Sequence, residues 1–455
     1  MTMPRTATTT WAAQDGVYSS LGRWSGHVVV AGALLWLFHD LVLPVAASLL
    51  ALAVGLAAWR LAKPRTFTRF VTAPVLGTYW RRRIRHSWAD VAGRCELGRA
   101  QSPRILRCRS DWPRLRVTLR PLIGQTLGDF EKAAEAVRTA YGASQIRVEP
   151  IGVRDVSLTL TIGDALTVPF EAQVPERVAE LDLASMGRRA DGEAWLLPIG
   201  PHTLVAGSSG SGKGSVFWSF VFALAPAVSD GRVQLHGIDL KGGMEILIGE
   251  GLFTTQATTA AEAVAVLEQL VERMRERTVK YAGRLRSHVA TLDEPLHVVM
   301  IDELAALTAY CPERELQRRA ELAINLLCSQ GRAPGFVVFA CLQDPRKEVI
   351  PSRGLFTQMI GLRLKDLSET SMVLGEVAVE SGAHCHRITR NLPGTGYVTP
   401  EEGGHPIRVR AGYASDDAIR DVARQYPTPV RLDVPDLQPD PLLVSRRRPR
   451  PGEGT

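Results

Sequence analysis

The sequence predicts an α/β fold in which short apolar strands end on small or charged residues, and three observations predict it. Residues 207–215 read GSSGSGKGS between one apolar run, residues 202–206, and another, residues 216–224. Residues 296–301 (LHVVMI) form a further apolar run of strand length that delivers Asp302 and Glu303. Residues 335–342 (GFVVFACL) form one more, ending on Gln343 and Asp344. Short continuous apolar runs suit strands buried on both faces, and in open α/β sheets ligands gather beyond the carboxyl ends of such strands.

The glycine-rich loop has the Gly-x4-Gly-Lys spacing of a P-loop at Gly207, Gly212 and Lys213. Small residues (Ser208, Ser209, Gly210, Ser211) let backbone N–H groups turn toward a polyphosphate, and the helix that follows adds the positive end of its dipole. Lys213 is expected against the β- and γ-phosphates of ATP. The next position, ordinarily the Ser or Thr that holds Mg²⁺, is Gly214, so Ser215 becomes the loop's candidate metal ligand. Asp302 is assigned to Mg²⁺ and Glu303 to general-base work on the attacking water. An N-cap pair would explain one of these acids but not their coincidence with a P-loop. Gln343 falls beside the γ-phosphate edge if its strand neighbours that of Asp302.

In chain order, residues 1–23 are expected to be a cytoplasmic tail and residues 24–60 a transmembrane helical hairpin of one or two helices. Residues 28–38 and 41–59 are both apolar, separated by His39 and Asp40. The second run is long enough to span hydrocarbon, and the first becomes so only by borrowing from residues 24–27. A secretory signal peptide is excluded because export would part the P-loop from ATP.

Residues 61–110 are expected to be a basic juxtamembrane linker. The whole chain carries +7, but residues 60–120 hold sixteen Lys and Arg against Asp90, Glu96 and Asp111, so 16 − 3 = +13 lies there and 7 − 13 = −6 elsewhere. Arg60, Lys63, Arg65, Arg69, Arg81, Arg82, Arg83 and Arg85 mark the cytoplasmic side of a span. The block suits anionic lipid or nucleic acid, with lipid favoured for residues 60–85, which follow the span directly.

Residues 111–180 are expected to form a small α+β module: a strand at RVTLRPL, an amphipathic helix near 126–141, then strands near 145–150 and 156–162. Residues 181–415 are the expected motor domain. It opens on a hairpin-like stretch, continues through the P-loop, and reaches a strand at 233–238 closed by Asp239, after which Lys241 and Glu245 structure a loop. Thr259 with Glu262 makes a capping box, and Val264, Leu267, Val271 and Met274 form that helix's buried stripe. Residues 416–455 are expected to be a partly disordered tail. The six cysteines show no CxxC pair and read as reduced, mostly buried thiols. His384, Cys385 and His386 are a poor metal site, since neighbours on a strand face opposite ways.

Taken together, HTLVAGSSGSGKGSVFWS, GIDLKGGMEI, VERMRER, HVVMIDELAAL, GRAPGFVVFACLQDP and LPGTGYV resemble the FtsK/SpoIIIE family of membrane-anchored DNA translocases, over roughly residues 180–415. The GKGS ending and compact length look most like its actinobacterial conjugal-transfer members. The resemblance implies a RecA-like P-loop NTPase core, double-stranded DNA as partner, a cytoplasmic-membrane location, and a homo-oligomeric, hexameric ring with ATP at subunit interfaces. A neighbour's arginine would complete each site; Arg332 is the first candidate and Arg353 the second. Where the family often has Ile-Pro-Thr-Arg, this chain has Leu355, Phe356, Thr357 and Gln358. After Ser415 there is too little patterned sequence for the family's DNA-reading winged helix, so DNA is expected to be selected by a partner protein or not at all. The alternatives are a protein-secretion motor with the same ATP site and a nucleotide-binding membrane scaffold without turnover, against which Glu303 argues.

Overall fold

Residues 43–98, 101–178, 180–346, 354–400 and 405–432, with scattered positions between 29 and 39, are described by the computed structural model. The helix Leu43–Ala62 buries none of its 20 residues and has a mean hydropathy of 1.9. At about 1.5 Å per residue it matches a hydrocarbon core of about 30 Å. Among the described residues it is the one helix long and apolar enough to cross a membrane. It corresponds to the second arm of the expected hairpin. Five of the eleven residues of the first apolar run, and Asp40 of the expected turn, lie outside the described residues.

Residues 61–110 are not a linker in the structure. They contain the helix Ala73–Arg94 and strand β1 (Arg104–Asp111). Charge density hides a helical stripe: Ile84, Trp88 and Ala92 recur every four residues and are buried, while Arg81, Arg82, Arg83, Arg85 and Arg94 are exposed. Trp88 Nε1 donates to Pro103 O at 2.7 Å. Gly77 allows the helix to approach β1, for a Cβ there would meet Ser110 Oγ at 2.3 Å.

This helix therefore belongs to the small α+β module. Its sheet adds β2 (Arg114–Arg120), β3 (Ala143–Ile151) and β4 (Asp155–Ile162) in the antiparallel order β1-β2-β4-β3. The helix Leu127–Tyr141 buries Phe130, Ala133, Val137 and Tyr141 against it. Arg114 ties the module to the motor through Asp191 and Glu193, at 3.4 and 3.3 Å.

The motor is one ten-stranded sheet. In chain order its strands are β5 (Leu183–Arg189), β6 (Ala194–Pro198), β7 (Thr203–Ala206), β8 (Val233–Ile238), β9 (Phe253–Ala257), β10 (Leu296–Ile301), β11 (Phe336–Leu342), β12 (Gln358–Gly361), β13 (Thr395–Val398) and β14 (Ile407–Ala411). The spatial order is β6-β5-β14-β13-β12-β7-β11-β10-β8-β9, and the run from β12 to β9 is parallel. Every residue of β7, β10 and β11 is buried, as their unbroken apolar sequences require. The helix Lys213–Ser229 covers one face, its ring of Phe217, Trp218, Phe220 and Phe222 buried against β11 and β8. The helices Ala260–Tyr281 and Arg314–Gln330 cover the other. Thr259 and Glu262 form the expected capping box, and all four residues of the expected stripe are buried.

The C-terminal boundary moves. Ser415 is not the start of a tail but an N-cap, its Oγ accepting from Ala418 N at 3.2 Å, and the helix Asp416–Gln425 buries Ile419, Val422 and Ala423 in the main core. The ten-residue helix is short and rich in charge, so its stripe was hard to see. Residues beyond 432 lie outside the description.

Candidate functional site

All the predicted acids and the P-loop emerge at the carboxyl edge of the parallel strands, because β7 lies beside β11, β11 beside β10, and β10 beside β8. The P-loop hangs between its neighbours. Gly207 N donates to Leu342 O at 3.0 Å, Ser208 N and Oγ each donate to Arg363 O at 2.9 Å, and Gly394 N donates to Ser211 O at 2.8 Å. Arg363 closes the turn by donating from Nη2 to Ser209 O at 2.7 Å. Gly210 and Gly212 take φ of +68° and +92°, conformations that side chains rarely adopt. The helix begins at Lys213, so its first N–H groups face into the loop.

Lys213 is folded onto its own loop, Nζ donating to Gly207 O at 2.9 Å. Burial pushes its ammonium below the usual lysine range, and the charges of Glu303 and Asp302 partly oppose this. Asp302 accepts from Lys241 Nζ through Oδ2 at 2.7 Å, with its side chain 12 % exposed. Asp239, at the end of β8, accepts from Lys241 N and Glu245 N at 2.9 and 2.8 Å and so shapes the KGGME loop. Glu303 Oε1 accepts from Gln343 N at 3.2 Å, while Oε2 is buried without a hydrogen-bond partner. Burial raises the Glu303 carboxyl above the ordinary range, opposed by the Gln343 N–H and by Lys213 and Lys241.

Lys213, Asp302 and Glu303 are thus brought together, and Gln343 joins them through its main chain, its side chain being exposed. Ser215 lies in the first turn of the helix that follows the loop. A Cβ on Gly394 would lie 3.5 Å from Ser215 Cβ, which places Ser215 against the strap from Pro393 to Gly394. Arg332 is exposed and precedes β11, at the sheet edge opposite the P-loop, so it is not brought to the acids of its own chain. Arg353 lies outside the described residues. Sequence reasoning missed Arg363 altogether, since a lone arginine in GLRLKD carries no motif, and it passed over Trp218 as an ordinary apolar residue.

The residues fit a nucleotide with a divalent cation. Ser211 is 2 % exposed and its Oγ has no partner within the loop, and Glu303 Oε2 is similarly orphaned. Unpaired buried polar atoms are costly, and here both sit where a phosphate or water would satisfy them.

Residues 163–295, which hold the module's exit, the P-loop and the KGGME loop, match the FtsK/SpoIIIE family. That match covers 133 of the chain's 455 residues. It is 27 % identical to the transfer protein TraSA of Streptomyces ambofaciens, over 70 % of this chain and 80 % of that one. It is 24 % identical to the DNA translocase FtsK of Streptococcus pyogenes serotype M3, over 73 % of this chain but 43 % of the translocase, and so spans less than half of that relative's length. The solved monomer form of the pCW3 conjugation coupling protein TcpA with ATPgS is similar at a TM-score of 0.48 and 19 % identity, over 75 % of this chain and 98 % of that one.

Proposed function

We propose that this chain is a membrane-anchored ATPase that drives double-stranded DNA through a homo-oligomeric, hexameric ring, in the service of conjugal transfer of a plasmid or integrative element. The observation that carries the reading is the convergence of Lys213, Asp302 and Glu303 on one sheet edge, with Glu303 Oε2 free of any partner. The relatives named as a transfer protein and as DNA translocases support DNA as the cargo.

The loop N–H groups of residues 208–212 and Lys213 bind the nucleotide's phosphates, for which Lys213 leaves Gly207 O. Asp302 would hold Mg²⁺, which would supply positive charge beside the nucleotide's phosphates. Lys241, whose ammonium holds Asp302 at 2.7 Å, keeps that carboxylate oriented toward the P-loop edge. Glu303 accepts the proton of the attacking water at Oε2, while Gln343 N fixes Oε1 and so aims the carboxylate. Arg332 serves a neighbouring subunit's site in trans. The helix Leu43–Ala62 anchors the ring in the cytoplasmic membrane, and the arginines that follow it, with Thr78, Arg81, Arg82 and Arg85 lining one cleft, meet anionic lipid headgroups. DNA is selected by a partner protein.

ATP turnover by the full chain in detergent micelles is expected to rise when duplex DNA is added. The stimulation should be insensitive to base sequence and should fade as salt rises, because a grip on phosphates releases counterions. Turnover that ignores DNA but responds to a polypeptide cargo would replace the translocase reading with the secretion-motor one.

A further inference from the structure

Gly214 stands where a P-loop ordinarily has a hydroxyl, and the structure puts a carboxylate into that space. A Cβ built on Gly214 would lie 2.7 Å from Glu245 Oε1 and 3.5 Å from Glu245 Cδ. A Ser or Thr side chain and the Glu245 carboxylate therefore compete for one volume, and the glycine is what admits the acid. Two contacts fix it there. Trp218 Nε1, one turn further along the P-loop helix, donates to Glu245 Oε1 at 2.8 Å. Glu245 N donates to Asp239 Oδ2 at 2.8 Å, which pins the acid's backbone to the end of β8, the strand beside β10 and Asp302.

The surroundings are those of a hard-cation site. After burial, the charge of Asp302 is the largest influence holding the Glu245 carboxyl above its ordinary range, so the two acids lie within electrostatic reach. Lys241 places its ammonium on Asp302 at 2.7 Å, a cation already lodged between these strands. Ser211 Oγ, buried in the same loop, is without a partner. Ser215, the residue after Gly214, has its Cβ beside the Gly394 strap.

The geometry points to Glu245 as the donor that replaces the missing P-loop hydroxyl, so that the divalent cation of the bound nucleotide is held between the carboxylates of Glu245 and Asp302. Mg²⁺ accepts such a setting, being bound by one or two carboxylates together with substrate phosphates. A carboxylate in place of the hydroxyl that a P-loop ordinarily has at this position makes the pocket one charge more negative, and the Lys241 ammonium on Asp302 offsets that excess. The bland alternative is that Glu245 serves only as the acceptor for Trp218. The inference rests on the nucleotide reading above, and the test separates the two.

The measurement is Mn²⁺ binding to the full chain in detergent micelles with ADP present, read from the electron paramagnetic resonance of free Mn²⁺, alongside metal-free ADP binding by a fluorescent analogue. Glu245→Gln keeps an acceptor for Trp218 and the same shape. It is expected to keep metal-free ADP binding and to weaken Mn²⁺ roughly 10- to 100-fold. The double variant Gly214→Ser, Glu245→Ala rebuilds the ordinary P-loop and is expected to recover most of the Mn²⁺ affinity. Equal Mn²⁺ affinity in wild type and Glu245→Gln would overturn the assignment and leave Glu245 as a partner of Trp218. Failure of the wild type to bind ADP at all would instead sink the nucleotide reading on which it rests.

Discussion

Glu303→Gln is expected to bind ATP as the wild type does and to turn it over about 10³-fold more slowly, the middle of the range for loss of a general base. The separation of binding from turnover follows from the two oxygens. Oε1 is engaged by Gln343 N at 3.2 Å, and a glutamine carbonyl accepts that bond equally, so the loop after β11 stays in place. Oε2 is the atom without a partner, and an amide nitrogen there offers protons rather than taking one. Nothing in this exchange touches the phosphate cradle, which hangs on Arg363, Leu342 and Gly394. Single-turnover hydrolysis together with filter binding of ATP checks both halves. Turnover within a few-fold of wild type would remove Glu303 from the role of base and return it to that of an N-cap for the helix Leu304–Thr308.

Gly212→Ala is expected to abolish nucleotide binding and to lower stability by several kcal/mol, placing it among the large single-site effects. Two causes act together. The residue holds φ at +92°, where a side chain is strained by about 1–2 kcal/mol. Its Cβ would also lie 2.0 Å from Gly394 N and 2.7 Å from Gly394 Cα, and backbone cannot step aside as a flexible side chain does. Gly394 N is the donor to Ser211 O, so relief of the clash opens the strap that closes the P-loop. Gly210→Ala is the control. Its φ of +68° carries a similar strain, but the nearest atom to its Cβ is Arg363 Nη2 at 3.8 Å. Urea denaturation and fluorescent-nucleotide titration of the two variants should differ sharply. Equal losses would mean that backbone strain alone, and not the Gly394 strap, makes Gly212 necessary.

Much of the motor was legible in the sequence because its central strands are buried on both faces and so stand out as mostly apolar runs, each ending on the residue that matters: Ala206 before the P-loop, Ile238 before Asp239, Ile301 before Asp302 and Leu342 before Gln343. The Thr259 and Glu262 box was legible for a local reason, since both partners lie within one turn. What escaped reading depends on contacts distant in sequence. Arg363 reaches Ser209 across 154 positions, and Gly394 reaches Ser211 across a gap of similar order, with no local pattern to mark either. The helix Ala73–Arg94 was obscured by its own arginines, since Arg81, Arg82, Arg83 and Arg85 surround Ile84 in sequence and break up the apolar pattern of Ile84, Trp88 and Ala92. Gly214 was read as a departure from a pattern, which is how it looks along the chain. Only folding brings Glu245 to it and turns the departure into a place for a carboxylate.

The central claim is that hydrolysis at this edge moves duplex DNA. Its most direct measurement is displacement of a third strand from a triplex-bearing duplex by the full chain in detergent micelles. With ATP, the third strand is expected to be released at a rate that follows ATP turnover, and Glu303→Gln should release none. Brisk DNA-stimulated hydrolysis with the triplex left intact, or release that persists in Glu303→Gln, would contradict the account.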